Sequence, residues 1–156
     1  MSIQRSLIGA LIALVLTFSA AYIGSRFTVG EWYADLSKPS WNPPNWLFGP
    51  VWTVLYLLMA ISAWLVWKKA GFQGATVPLI IFLVQLVLNA AWSWLFFGLH
   101  EIGIAFIEIV VLWLAILICT ILFWRIIAIS GILLVPYLMW VAFAAVLNYK
   151  LWHLNA

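Results

Sequence analysis

Charge is the scarcest commodity in this sequence. Only 7% of its 156 residues are Asp, Glu, Lys or Arg, against about 25% in ordinary soluble domains. So few charges cannot cover the surface of a water-soluble fold, and the shortage excludes one. Cysteine occurs once, as Cys119, which rules out an intramolecular disulfide and leaves the redox compartment open. Two histidines, His100 and His153, offer no metal-ligand spacing, and there is neither a phosphate-binding glycine loop nor a dinucleotide fingerprint. No metal site is expected. Basic residues never run longer than Lys68-Lys69, so the net charge of +3 reflects scattered loop positions and no nucleic-acid partner is expected.

What the chain does have is apolar length, with 68% hydrophobic residues. Crossing the ~30 Å hydrocarbon layer takes roughly 20 helical residues. Five stretches approach or exceed that, at about 7–24, 50–67, 77–99, 104–124 and 132–152. The expected fold is therefore an all-α, multi-pass integral membrane protein, a single five-helix bundle over residues 1–156. The first stretch has features of a secretory signal, with Arg5 ahead and Ser19-Ala20-Ala21 behind. Its length and the small-residue pairs Gly9/Ala13 and Ala20/Gly24 favour a retained, packed helix. Pro50 suits a first helical position, Lys68-Lys69-Ala70-Gly71 a helix end, and Pro136 predicts a kink.

Between the first two spans lies one long polar interval, Trp32 to Trp52, which holds four of the six prolines and four of the twelve tryptophans. Loops longer than about 12–15 residues are usually functional or disordered. Disorder needs few aromatics, so this segment reads as an ordered lid on the bundle, stiffened by proline. The competing reading is an interfacial loop whose indoles sit at headgroup depth.

Five crossings place the amino terminus, the Lys68–Lys69 loop and the Arg125 turn on one side. The long loop, the His100 turn and the carboxyl tail share the other. Lys and Arg number four against three across these sides, which by the positive-inside rule puts the amino terminus in the cytoplasm. The same topology gathers Tyr22, Trp52, Tyr56, Asn89, Trp92, Ser93, Phe96, Trp140, Asn148 and Tyr149 at the lid end. Asn89, Trp92, Ser93 and Phe96 stand at i, i+3, i+4 and i+7, one helix face, with Gln85 a turn deeper. Amides facing lipid are costly, so this face points into the bundle. It fits either a flat, largely apolar ligand in an aromatic pocket or plain interhelical hydrogen bonding. Glu108 is the one acid inside a span, either a ligand contact or part of a peripheral stripe with Glu101. His100 and His153 read as interface histidines. Trp113 and Trp140 are mid-helix, where the interfacial aromatic belt does not explain them.

Trp32-Tyr33, Lys38-Pro39-Ser40-Trp41-Asn42-Pro43-Pro44, Trp52 and Asn89, with Val135-Pro136-Tyr137-Leu138, Trp140 and Leu147-Asn148-Tyr149, resemble the TspO/MBR family over essentially the whole chain. Its members are the tryptophan-rich sensory proteins of bacteria and the mitochondrial translocator protein, or peripheral-type benzodiazepine receptor. The lack of any extension around the five spans points to a bacterial member in a bacterial membrane. The resemblance implies a homodimer and a pocket beneath the first loop that binds protoporphyrin IX or a related tetrapyrrole, with no required cofactor. It implies pocket residues Tyr33, Trp41, Pro43, Trp52, Asn89, Trp140, Ala144 and Leu147, to which the topology adds Tyr56, Trp92 and Phe96. Tetrapyrrole propionates would then meet Arg26, Lys38 or Lys150.

Two departures matter. Lys150 follows Tyr149 directly, without the spacer of the proposed cholesterol motif, so specific cholesterol binding is not expected. The third span lacks a clear small-xxx-small pair, whereas the first has two, which leaves the dimer interface open. The leading functional reading is a receptor or sensor of tetrapyrroles. Light-dependent porphyrin degradation is a second reading, with Trp52 and Trp140 as the candidate reactive indoles, although no general base or nucleophile is evident. Transport of porphyrin or lipid is a third, weakened by the absence of inverted repeats.

Overall fold

The computed structural model describes residues 2–156, which form helices and loops with no strand among them. Helix α1 is Ile3–Ser25 and the short α2, within the lid, is Glu31–Asp35. A helical run over Asn45–Ser93 continues through a π-helical turn, Trp94–Gly98. Helix α4 is Ile102–Ile126 and α5 is Ala128–Asn155.

The long run covers 54 residues and as a straight helix would measure about 80 Å, far more than a bilayer. It folds back instead. Gly71 adopts φ 67 and ψ −176, and Ala75 φ −126 and ψ 19. The first of these is a region essentially restricted to glycine. This bend divides the run into α3a (45–70) and α3b (76–98), and the bundle has five crossings. The antiparallel arrangement of the arms is fixed by Tyr56 on α3a donating to Asn89 on α3b. The fold class expected from hydropathy is the one observed.

Boundaries differ in places. Helix α3a starts at Asn45, not near Pro50, because Pro44 stops the preceding chain in extended geometry (φ −64, ψ 144) and the helix begins directly after it. Pro50 is carried inside the helix without leaving helical torsions. Helix α5 starts at Ala128, since Ile127 alone (φ −155, ψ 118) makes the turn from α4. Pro136, where a kink was expected, leaves α5 as one uninterrupted helical run. Trp113 is explained by its indole N–H, which donates to the Leu138 carbonyl on α5 (3.2 Å).

Helix α1 packs as an integral part of the bundle. Gly9 and Gly24 are buried. The Trp67 ring of α3a lies where a Gly9 side chain would be, and Ser93 of α3b lies against Gly24. The small residues thus allow close approach within the protomer, which removes them as a free face for pairing between protomers. Trp64 of α3a donates to the Ser6 carbonyl (2.9 Å), pinning the same helix near its amino terminus.

Gly71 has open space where a Cβ would go, so its requirement is purely one of backbone torsion. Gly71→Ala should therefore destabilise the fold by about 1–3 kcal/mol, read as a lower midpoint of thermal unfolding in detergent. Gly49→Ala, at a helical site with equally open space, should be neutral or stabilising by up to about 1 kcal/mol.

Candidate functional site

At the lid end the helices diverge around a chamber of about 600 Å³. Its floor is a hydrogen-bond chain linking three helices. The Tyr56 hydroxyl donates to Asn89 Oδ1, Asn89 Nδ2 donates to the Tyr137 hydroxyl (2.9 Å), and Tyr137 donates to Gln85 Oε1 (2.7 Å). Gln85 Nε2 ends the chain on Met59 Sδ (3.7 Å). All of these residues are buried. A second polar tie lies higher on the wall, where the Trp92 indole donates to Asn148 Oδ1 (3.0 Å) and Asn148 Nδ2 donates to the Ile102 carbonyl (2.9 Å). That joins α3b, α5 and the start of α4.

The walls are aromatic. Trp52 lies beside Tyr56 (5.6 Å between centroids) and edge-on to Tyr137 (6.2 Å). Trp140 packs against Phe48 and Phe143. Trp92 stacks on Phe96 at 5.1 Å. The π-helical turn then widens α3b by one residue, with the Leu99 N–H reaching back to the Trp94 carbonyl. This turn lets the consecutive residues Phe96 and Phe97 both line the chamber, and insertions of this kind recur at functional sites.

The roof is the lid. Tyr33, on α2, is only 2% exposed and rests on Phe96 and Phe97. Its hydroxyl donates to Asn42 Oδ1 (3.1 Å). Burial pushes the Tyr33 phenol above its ordinary value, with the Asn42 hydrogen bond acting in the opposite direction. Trp32 stacks on His100 at 4.1 Å, and His100 sits in the left-handed region (φ 60) that closes the turn into α4. Lys38 folds back, its Nζ donating to the Ala34 and Leu36 carbonyls (2.9 and 3.0 Å) and lying 4.8 Å over the Tyr33 ring. Across the bundle, Asn155 at the end of α5 exchanges two hydrogen bonds of 2.9 Å with the Ser37 backbone. The lid is therefore latched to the carboxyl-terminal helix.

Of the residues named from sequence, Tyr33, Trp52, Tyr56, Asn89, Trp92, Phe96, Trp140, Ala144 and Leu147 line the chamber together. Trp41 and Pro43 do not. Trp41 is 44% exposed and lies edge-on to Phe143, because the Lys38 and Asn42 bonds turn the lid so that Tyr33 points inward and Trp41 away. Glu108 stands outside the chamber, its carboxylate oxygens buried without a hydrogen-bond partner among the described residues. His153 lies on Tyr149. Sequence reasoning missed Phe18 and Ala21 of α1, Phe48 of α3a, and the role of Tyr137 in the floor. The spacing 137, 141, 144, 148, at i, i+4, i+7 and i+11, would have put Tyr137 on the same face as Ala144 and Asn148.

No charged side chain lines the chamber among the described residues. Arg26, exposed and between the lining residues Ser25 and Phe27, stands at the rim.

Five crossings, a buried polar floor and a latched lid define a multi-pass helical membrane protein that encloses one aromatic chamber at a single end. The chain belongs to the TspO/MBR family, whose model matches residues 11–153. It is 42% identical over 137 residues to the protein CrtK of Rhodobacter capsulatus, covering 87% of this chain and 86% of that one. It is also 42% identical over 139 residues to the human translocator protein, covering 86% and 82%. With the tryptophan-rich protein TspO of Archaeoglobus fulgidus it shares 37% identity over 156 residues and the full length of both chains.

If the floor acts as a unit, Tyr56→Phe and Asn89→Ala should be coupled. A double-mutant cycle on thermal unfolding should return about 0.6–1.7 kcal/mol of interaction, the range for hydrogen bonds between membrane helices. Additive losses would mean that the chain of hydrogen bonds contributes nothing beyond its separate members.

Proposed function

We propose that the protein is a membrane receptor or sensor for porphyrin-type tetrapyrroles such as protoporphyrin IX, held in the chamber beneath the lid. The observation that carries this reading is a chamber of about 600 Å³ with indole and phenyl walls and no charged lining. A flat macrocycle gains from offset stacking on such rings, and a volume of that size lies within the usual range for ligand pockets, about 300–1,000 Å³. The neutral lining leaves the propionates at the mouth, where the exposed cations next to lining residues are Arg26, between Ser25 and Phe27, and Lys150, beside Leu151. Lys38 is occupied in holding the lid. The same reading makes the receptor a homodimer, as the family resemblance implies. Its amino terminus lies on the cytoplasmic side, following the Lys and Arg count.

Quenching of tryptophan fluorescence by protoporphyrin IX tests this directly. Replacing Trp52 or Trp140 by Phe should weaken binding by about 0.5–1.5 kcal/mol each, the worth of an aromatic pair beyond its area. Unchanged affinity in both would remove the chamber as the site. Arg26→Gln should weaken protoporphyrin IX by no more than about 1 kcal/mol, as for an exposed ion pair, and leave its dimethyl ester unaffected. Asn155→Ala, which unlatches the lid, should show mainly as faster ligand release in stopped-flow measurements.

A second reading, light-dependent porphyrin degradation, is favoured by one observation. Trp52 and Trp140, the two candidate indoles, both line the chamber, and neither has a hydrogen-bonded N–H among the described residues. Illumination of the protein with protoporphyrin IX decides it. Product formation at the protein-free rate, or no loss with both tryptophans replaced by Phe, ends that reading.

A further inference from the structure

The opposite end of the bundle carries a second concavity, a groove of about 350 Å³ between α1 and the α3a–α3b bend. We propose that it holds one acyl chain of an anionic phospholipid, with the lipid's phosphate against Arg5.

The shape comes first. Along α1 the groove runs from Arg5 to Leu16. At ~1.5 Å per residue that is roughly 16 Å, or about half of the ~30 Å hydrocarbon layer. It is therefore as deep as a single leaflet. Its walls are carbon almost throughout, with Ile8, Ile12 and Leu16 facing Leu83 and Phe72. Trp64 also lines it, but its indole N–H is taken by the Ser6 carbonyl, so the wall offers an occupant no donor there. Gly9 leaves the room that the Trp67 ring occupies against α1, where it forms part of the groove wall.

Charge then selects the lipid. An acyl chain gains little hydrophobic energy by leaving other acyl chains for this groove, since lipid tails are as apolar as the side chains lining it. Retention of a particular lipid has to come from its headgroup. Arg5 is the only charged lining residue among the described residues. Lys68, whose Nζ lies 5.0 Å over the ring of Trp64, brings a second cation to the same mouth. Lys69 and Arg125 share this membrane face, whereas Glu31, Asp35, Glu101 and Glu108 lie on the lid or in the lid-side part of α4. A cationic mouth without a neighbouring acid, above an apolar slot one leaflet deep, matches a phosphate-headed lipid that carries net negative charge.

The test uses the full chain in non-ionic detergent and native mass spectrometry with palmitoyl-oleoyl phosphatidylglycerol or the corresponding phosphatidylcholine. Wild-type protein should retain one phosphatidylglycerol under activation that strips phosphatidylcholine. Arg5→Gln should weaken that retention about fivefold, the contribution of one interfacial cation, and Arg5→Lys should largely restore it. Ala13→Trp, which fills the slot, should abolish it. Should Ala13→Trp fail to fold, the exposed first-turn Arg5 pair carries the test alone. Equal retention of the two lipids by wild type overturns the proposal. So does phosphatidylglycerol binding that ignores Arg5→Gln, or a dimer that buries the groove and excludes lipid.

Discussion

Hydrocarbon supplies no hydrogen bonds, so every polar group within the membrane must find its partner inside the protein. In this chain much of that demand is met at one level, where Gln85, Asn89, Tyr56 and Tyr137 close on one another across α3a, α3b and α5. The chain of bonds specifies the register of three helices, because sliding any one of them by a turn leaves buried groups unpaired. It also sets the floor of the chamber. Above it aromatic rings hold the helices apart, the Asn148 amide ties α3b, α5 and the start of α4 along one wall, and the space left between them becomes the cavity.

The lid follows from the same rule applied at the membrane surface. Its backbone leaves helical geometry for most of residues 26–44, and its polar groups are met locally or by the end of α5. Asn155 answers both the N–H and the carbonyl of Ser37, and Lys38 answers two carbonyls of its own loop. Proline at positions 39, 43 and 44 limits how many ways the segment can be arranged. The result is a cover that turns Phe27, Val29 and the buried phenol of Tyr33 toward the chamber, while its indoles are spread over His100 and Phe143.

Much of this was legible in the residues. The five spans follow from apolar length, and the face holding Gln85, Asn89, Trp92 and Phe96 follows from helical spacing. Both are periodic signals, and periodicity survives folding. The direction in which a loop residue points is not periodic. Trp41 and Pro43, placed in the pocket by resemblance, lie outside it because the hydrogen bonds of Asn42 and Lys38 turn the lid there. The π-helical turn was equally invisible, since one inserted residue leaves composition unchanged and shifts only what Phe96 and Phe97 face. Helix α3a begins at Asn45 because Pro43-Pro44 ends the extended chain, a stop signal as clear in the sequence as the Pro50 start that was read in its place.

The chamber is not sealed equally on all sides. Phe18 and Tyr22 line it and are also exposed, Tyr22 to 65%, so its α1 wall abuts the bilayer while its roof is latched against water. A ligand that dissolves in lipid meets an aromatic wall already at its own depth, whereas one arriving from solution must displace Tyr33 and break the Ser37–Asn155 bonds. This asymmetry separates the lid's two tasks. It covers a chamber whose floor amides are already paired, and it leaves the side along α1, where Phe18 and Tyr22 are exposed, facing the membrane. Along α1, Gly24 lies against Ser93 of α3b near the top, and the Phe18 ring lies 6.2 Å, centroid to centroid, from Tyr56 of α3a lower down. The close approach that binds α1 to the bundle thus also sets how far the chamber opens to the membrane.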